Sequence, residues 1–256
     1  MVSAAAQLLL SDADPPPVEV LRRSSRSPLV LLCEHAGQAV PAALGDLGVG
    51  QAVLDSHRGW DIGAESLARG IADALDAPLV VQRYSRLVID CNRPPGSAQS
   101  IPGQSDNCDI PANRTASQAE RDARLREIFT PMDREITTLF EAAPRAATMS
   151  VHSFTPRMDG RDRPMHAGFL SRRSTETAEA LMRHISARRP DLQLALNAPY
   201  QVDDETDWFI PRHAERRGLP HCLIEIRNDQ IADPKGIAVW TELLSGAIGA
   251  FMESLR

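Results

Sequence analysis

At 256 residues, with 43% hydrophobic and 24% charged residues, the chain has the composition of a folded globular protein and is long enough to bury a substantial core. Its formal net charge of −6, spread over 34 acidic and 28 basic residues, gives no field that favours nucleic acid or an anionic membrane surface. An aromatic content of 4% leaves little for stacking on single strands, and no apolar run approaches the roughly 20 residues of a membrane span. Residues 1–27 read as an irregular N-terminal arm, because Pro15-Pro16-Pro17 continues neither helix nor strand. The first ten residues lack the basic segment of a signal peptide.

Residues 28–33 are a continuous apolar run, short enough for a buried strand, and they deliver Glu34-His35-Ala36-Gly37 at its end. Ile62, Leu67, Ile71 and Leu75 recur at near-helical spacing, so residues 52–75 read as a helix whose regular part begins near Asp61. Residues 78–82 form a second strand. The stretch 83–95 reads as a third, with Leu87-Val88-Ile89 at its centre and Pro94-Pro95 at its end. Residues 96–113 are rich in Gly, Pro, Ser and Asn and read as a long surface loop. A helix over 117–142 starts at the capping box of Ser117 and Glu120 and should be kinked or divided by Pro131.

Further strands are expected at 146–151, 166–170, 192–196 and 221–226, and further helices at 175–189, 210–218 and 236–255. Strands alternating with helices indicate a doubly wound α/β sheet, with 28–256 as a single domain. Four cysteines (Cys33, Cys91, Cys108 and Cys222) lie far apart with no C-x-x-C pair, which points away from zinc ribbons and disulfide exchange and towards a reducing cytoplasm. No serine sits in a G-x-S-x-G elbow, and the glycine patterns of phosphate and dinucleotide loops are absent.

Reactive side chains collect at strand ends. His35 follows the first strand, Asn92-Arg93 the arginine-rich one and His152 a later one, while Glu225 lies within the last. In open α/β sheets these ends border one crevice, so the groups can converge. Two histidines and a carboxylate would make a three-ligand zinc site, with a second carboxylate as general base. Arg86 and Arg93 carry permanently charged forks suited to a carboxylate or a polarised carbonyl, or to a salt-bridge cluster at the sheet edge.

The segments CEHAGQAVP, SHRGWDIGA, YSRLVIDCNRPP, VHSFTP, NAPY and IEIRND, in that order, resemble the N-formylglutamate amidohydrolase family over most of the chain. The resemblance implies a fold related to zinc carboxypeptidases and aspartoacylases, a three-layer α/β/α arrangement with a mixed, mostly parallel sheet. It also implies one catalytic zinc ion and a small N-acyl amino acid bearing a carboxylate as substrate. His35 matches the first histidine of the His-x-x-Glu pattern, but Gln38 stands where the glutamate would be. Asp61 is then the expected carboxylate ligand, with Glu34 as its rival, and His152 matches the later histidine. Glu225 matches the glutamate that activates water. Arg86 resembles the arginine that polarises the scissile carbonyl, and Asn92-Arg93 the pair that holds the substrate carboxylate.

Less sharply marked residues complete the expectation. Arg227 is placed on a second substrate carboxylate or in an ion pair with Asp229. Tyr200 and Ser153 are placed in the substrate pocket, though each also has an adequate structural role. His57 and His213 fit surface or structural positions better than ligand positions. Seven residues separate Arg86 from Arg93, which puts them on opposite faces of an ideal strand; a bulge, or a start outside the strand, is needed to bring both to one pocket. Two other readings remain: a zinc peptidase or deacylase with a different substrate, and a binding protein that keeps the fold without catalysis.

Overall fold

The computed structural model describes residues 8–256, so the first part of the N-terminal arm lies outside the described residues. Seven strands form one mixed sheet: β1 Val18–Leu21, β2 Leu29–Cys33, β3 Leu79–Gln82, β4 Ala147–Phe154, β5 Ala167–Leu170, β6 Leu194–Leu196 and β7 His221–Arg227, in the order β1-β3-β2-β4-β7-β5-β6. The pairings β2–β3, β2–β4, β4–β7 and β5–β6 are parallel, whereas β1–β3 and β5–β7 are antiparallel. The fold class is therefore α/β with a mostly parallel sheet. Part of the expected irregular arm supplies the edge strand β1, which the proline triplet precedes and does not interrupt.

Alternation along the strands divides the core into two layers. On one face Leu29, Leu31, Cys33, Met149, Val151, Cys222, Ile224 and Ile226 pack against helices α1 (Ala64–Ala74), α4 (Thr175–Arg188) and α5 (Pro234–Ser254). On the other, Val30, Leu32, Val80 and Leu223 pack under α2 (Gln118–Arg124) and α3 (Thr130–Ala142), with a π-helical turn at Leu125–Phe129 between these two. The Ser117–Glu120 capping box forms as expected, and the π turn sits immediately before Pro131. Ser150, His152 and Glu225 fall on this second face by the same alternation that buries Val151 and Ile224 on the first.

The stretch expected as a third strand is instead a buried loop. Tyr84 makes an isolated bridge with Ala39, and the chain then turns. Its apolar centre is buried, as a strand's would be, but no sheet strand satisfies its backbone. The Asn113 amide donates to the Leu87 carbonyl at 2.8 Å, and the buried Arg124 donates to that of Val88 at 3.0 Å. Backbone N–H of Arg86 donates to Gly59 O at 3.1 Å, and that of Asp90 to Ser100 O at 2.7 Å. Residue alternation therefore does not apply, and Arg86 and Arg93 reach the same cavity. A Cβ on Gly37 would collide with the Arg83 backbone, so glycine is what lets this loop pass beside the end of β2.

The 96–113 region is partly ordered by a small hairpin, Gln104–Ser105 with Cys108–Asp109, and a second hairpin joins Arg157–Met158 to Arg161–Asp162. All four cysteines are free, and no helix among the described residues is long and apolar enough to cross a membrane.

Candidate active site

His35 follows β2 directly, His152 lies in β4, and Glu225 lies opposite His152 in the parallel register of β4 and β7. Asp61 comes from the turn before α1, and its backbone N–H donates to His35 O at 2.9 Å. Three ligand atoms meet. Asp61 Oδ2 is 2.9 Å from His152 Nδ1 and 3.3 Å from His35 Nδ1, and the two Nδ1 atoms are 3.1 Å apart. The three residues are buried, and their donor atoms all lie within 4.8 Å of one another.

Each histidine is backed by a carboxylate. His35 Nε2 donates to Asp90 Oδ1 at 2.7 Å, which leaves its Nδ1 lone pair facing inward. His152 Nε2 lies 3.1 Å from Glu34 Oε2, off the line of a hydrogen bond. Glu34 Oε2 also accepts from Ser150 Oγ. Glu34, the rival to Asp61, thus stands behind His152 and outside the converging atoms. Gln38 turns to Asp55, 3.3 Å away. Two imidazole nitrogens and one carboxylate oxygen suit a metal ion that keeps further positions for water or substrate, so His35, Asp61 and His152 could hold one.

The charges are tightly balanced. Burial opposes ionisation of Asp61 and Asp90, yet His35 and His152 hold Asp61, and His35 with Arg86 and Arg93 hold Asp90, well below the usual carboxylate range. Burial also opposes charge on His152, but Glu34 and Asp61 push its pKa well above an ordinary imidazole's. Glu225 behaves differently. It is 5% exposed, its Oε2 has no hydrogen-bond partner among the described residues, and burial pushes its pKa up to about 7. A buried, unpartnered carboxyl beside a cluster that could hold a metal ion is able to accept a proton.

These groups line one cavity of about 480 Å³. Arg86 is also on its wall; Nη2 donates to Asp90 Oδ2 at 2.8 Å and Nη1 to Asp61 Oδ1 at 3.3 Å. Burial opposes its charge, but these two carboxylates raise its pKa above the usual guanidinium value. Arg93 lines the cavity and donates from Nη1 to the Thr206 carbonyl.

Asn92 also borders it, but its side chain is engaged: Nδ2 donates to Asp207 Oδ1 at 3.1 Å, and Oδ1 accepts from the backbone N–H of Phe209 at 3.1 Å. Burial raises the pKa of Asp207, the carboxyl that this amide meets. Ser153 spends its hydroxyl on Ile62 O at 2.9 Å, while its backbone N–H donates to Asp61 Oδ2 at 3.2 Å. Tyr200 stands at the rim, 42% exposed, and its hydroxyl accepts from Arg163 at 3.0 Å.

Of the two placements open for Arg227, the structure shows the ion pair with Asp229. Arg227 pairs with Asp229 through Nε at 2.8 Å and Nη2 at 3.1 Å, and Nη1 donates to the Pro164 carbonyl at 2.9 Å. It does not line the cavity. Its guanidinium ties the end of β7 to the chain before β5, a partner some sixty residues away that local sequence cannot signal. Two residues outside the sequence-based candidates also matter: Asp90 orients His35 besides pairing with Arg86, and Arg58 lines the cavity. The only signal for Asp90 was its place in a strand-like run, where a charge needs a buried partner.

The N-formylglutamate amidohydrolase family model matches residues 27–232. The chain belongs to this family. It is accordingly a hydrolase that acts on amide bonds. Among solved structures, the gene product Atu2144 from Agrobacterium tumefaciens is 35% identical, with a TM-score of 0.90 and coverage of 96% of this chain and 99% of that one. N-formylglutamate amidohydrolase from Ralstonia eutropha JMP134 is 20% identical, with a TM-score of 0.71 over 94% of this chain and 99% of that one, and so shares its fold. No curated protein sequence gives a match.

Proposed function

We propose that this member of the amidohydrolase family is a zinc enzyme that hydrolyses the amide of an N-acyl amino acid, with N-formylglutamate as the type of substrate. The observation that carries this reading is the convergence of His35 Nδ1, His152 Nδ1 and Asp61 Oδ2 in a cavity that also holds the unpartnered carboxyl of Glu225. His35, Asp61 and His152 would hold the zinc ion, which would supply Lewis acidity to the reaction.

The chain's own groups do the rest. Glu225 takes the proton from the attacking water and passes it to the leaving amine, so that formate and the free amino acid result. Arg86, fixed by Asp61 and Asp90, places a permanent positive charge where the carbonyl oxygen becomes an oxyanion. Arg93 receives the substrate's α-carboxylate. Asn92 holds the Thr206–Phe209 backbone on which Arg93 leans, and Ser153 and Tyr200 shape the wall and rim. Asp90 orients the His35 imidazole through a hydrogen bond, and the Glu34 carboxylate places a negative charge beside that of His152.

Formate release from N-formyl-L-glutamate, measured with zinc content on the same sample, tests the proposal. Turnover that disappears with a chelator and returns with zinc supports it. Turnover that persists at zero metal content contradicts it.

A further inference from the structure

Three guanidinium groups line the cavity, and they are not equivalent. Arg86 is bound to the two carboxylates beside the metal-binding cluster, and Arg93 sits against the Thr206 carbonyl. Arg58 leans on the hairpin of Gln104–Ser105 and Cys108–Asp109. Its Nε and Nη2 donate to the Asp106 carbonyl at 3.2 and 3.1 Å, and Nη2 lies 2.9 Å from Asp106 Oδ2. His57 Nε2 is 3.0 Å from the same carboxylate oxygen. One edge of the Arg58 fork is thereby fixed, while Nη1 has no acceptor among the described residues. The side chain is 27% exposed, enough to meet a ligand and buried enough to hold one orientation.

We infer that Arg58 is a specificity-determining residue that receives the side-chain carboxylate of a dicarboxylic N-acyl amino acid whose α-carboxylate is held by Arg93. This rests on the amidohydrolase reading and names the substrate class of that site. Arg227, the other arginine considered for this carboxylate, has its donors consumed by Asp229 and backbone carbonyls. Asp106 both aims Arg58 and tempers the preference, since its own carboxylate repels an incoming one. Arg58 and His57 precede Asp61 by only a few residues, so substrate length is measured from the same segment that supplies a metal-ligand candidate.

The test compares kcat/KM for N-formyl-L-glutamate with that for its neutral isostere N-formyl-L-glutamine on zinc-loaded protein. Arg58→Gln is expected to lower the Glu/Gln ratio at least tenfold, mainly through KM for the glutamate substrate; an unchanged ratio overturns the inference. Asp106→Asn, which leaves the guanidinium in place, is expected to keep or raise the ratio. A fall matching that of Arg58→Gln would show that the hairpin itself is what matters, and would also overturn it.

Calorimetric titration with glutarate and with butyrate provides a readout independent of turnover. The wild type should favour glutarate and Arg58→Gln should lose that preference; equal preferences in both proteins contradict the assignment. If the wild type releases formate from neither substrate, the hydrolase reading fails by itself and the glutarate comparison still decides the role of Arg58.

Discussion

His35, Asp61, His152 and Glu225 are between 2% and 5% exposed and sit on core strands or directly after them, or in the turn tied by hydrogen bond to His35. At the rim of the same cavity, two short hairpins meet through an exposed hydrogen bond from Asn107 to Asp159, and Tyr200 is partly exposed. At the inner end, the charges around Glu225 are placed by other groups of the site: Asp90 holds His35, Arg86 and the Asn92 backbone, and Ser150 holds Glu34. At the rim, the contacts come from loop and hairpin residues and are only partly buried. The contrast separates chemistry, which needs donors fixed before substrate arrives, from selection, which needs only a few directed contacts.

Removing an inner ligand is the largest break in that contrast. His152→Ala is expected to abolish stoichiometric zinc binding, measured by elemental analysis, because a two-ligand site remains. Asp90→Asn comes next. It keeps the shape but exchanges the His35 acceptor for an amide, and zinc affinity by competition with a chelator should fall about 10- to 100-fold.

The third expectation concerns the cost of holding Glu225 in a buried site. Its folded-state pKa is about 7, above the unfolded value, so the folded chain holds the proton more tightly. The corresponding stability is present below the ordinary carboxylate pKa and is lost as pH rises through about 7. In chelator-treated protein, Glu225→Gln should therefore gain about 2 kcal/mol relative to the wild type at pH 8 compared with pH 5, read from denaturant unfolding at both values. At the rim, Tyr200→Phe removes a hydroxyl whose partners, Arg163 and Met158, also lie at the surface end of the cavity, and should change kcat/KM less than about threefold, with stability within about 0.5 kcal/mol.

Much of the inner end was legible because it lies on short apolar runs bounded by reactive residues. The runs before His35 and around His152 and Glu225 could be placed from length and alternation, and family resemblance supplied the link to Asp61. The arginine-rich stretch was harder. Leu87-Val88-Ile89 has a strand's composition, but a buried loop satisfied by Asn113 and Arg124 has the same composition, and those partners come from a distant segment. Choosing between Asp61 and Glu34 depended on which carboxylate the β4 histidine faces with which nitrogen, a matter of side-chain direction that spacing does not encode. The rim was read as loop, correctly in outline, but tip-to-tip contact of two hairpins has no local signature.

The most direct measurement of the central claim is formate release by zinc-reconstituted wild type and Glu225→Gln, with zinc content determined on the same samples. Equal zinc in both proteins with turnover reduced about a thousandfold in the variant is the expected result, since the cluster keeps its ligands and loses only its proton acceptor. Equal zinc with undiminished turnover would contradict the assignment of Glu225 and the account of the site built around it.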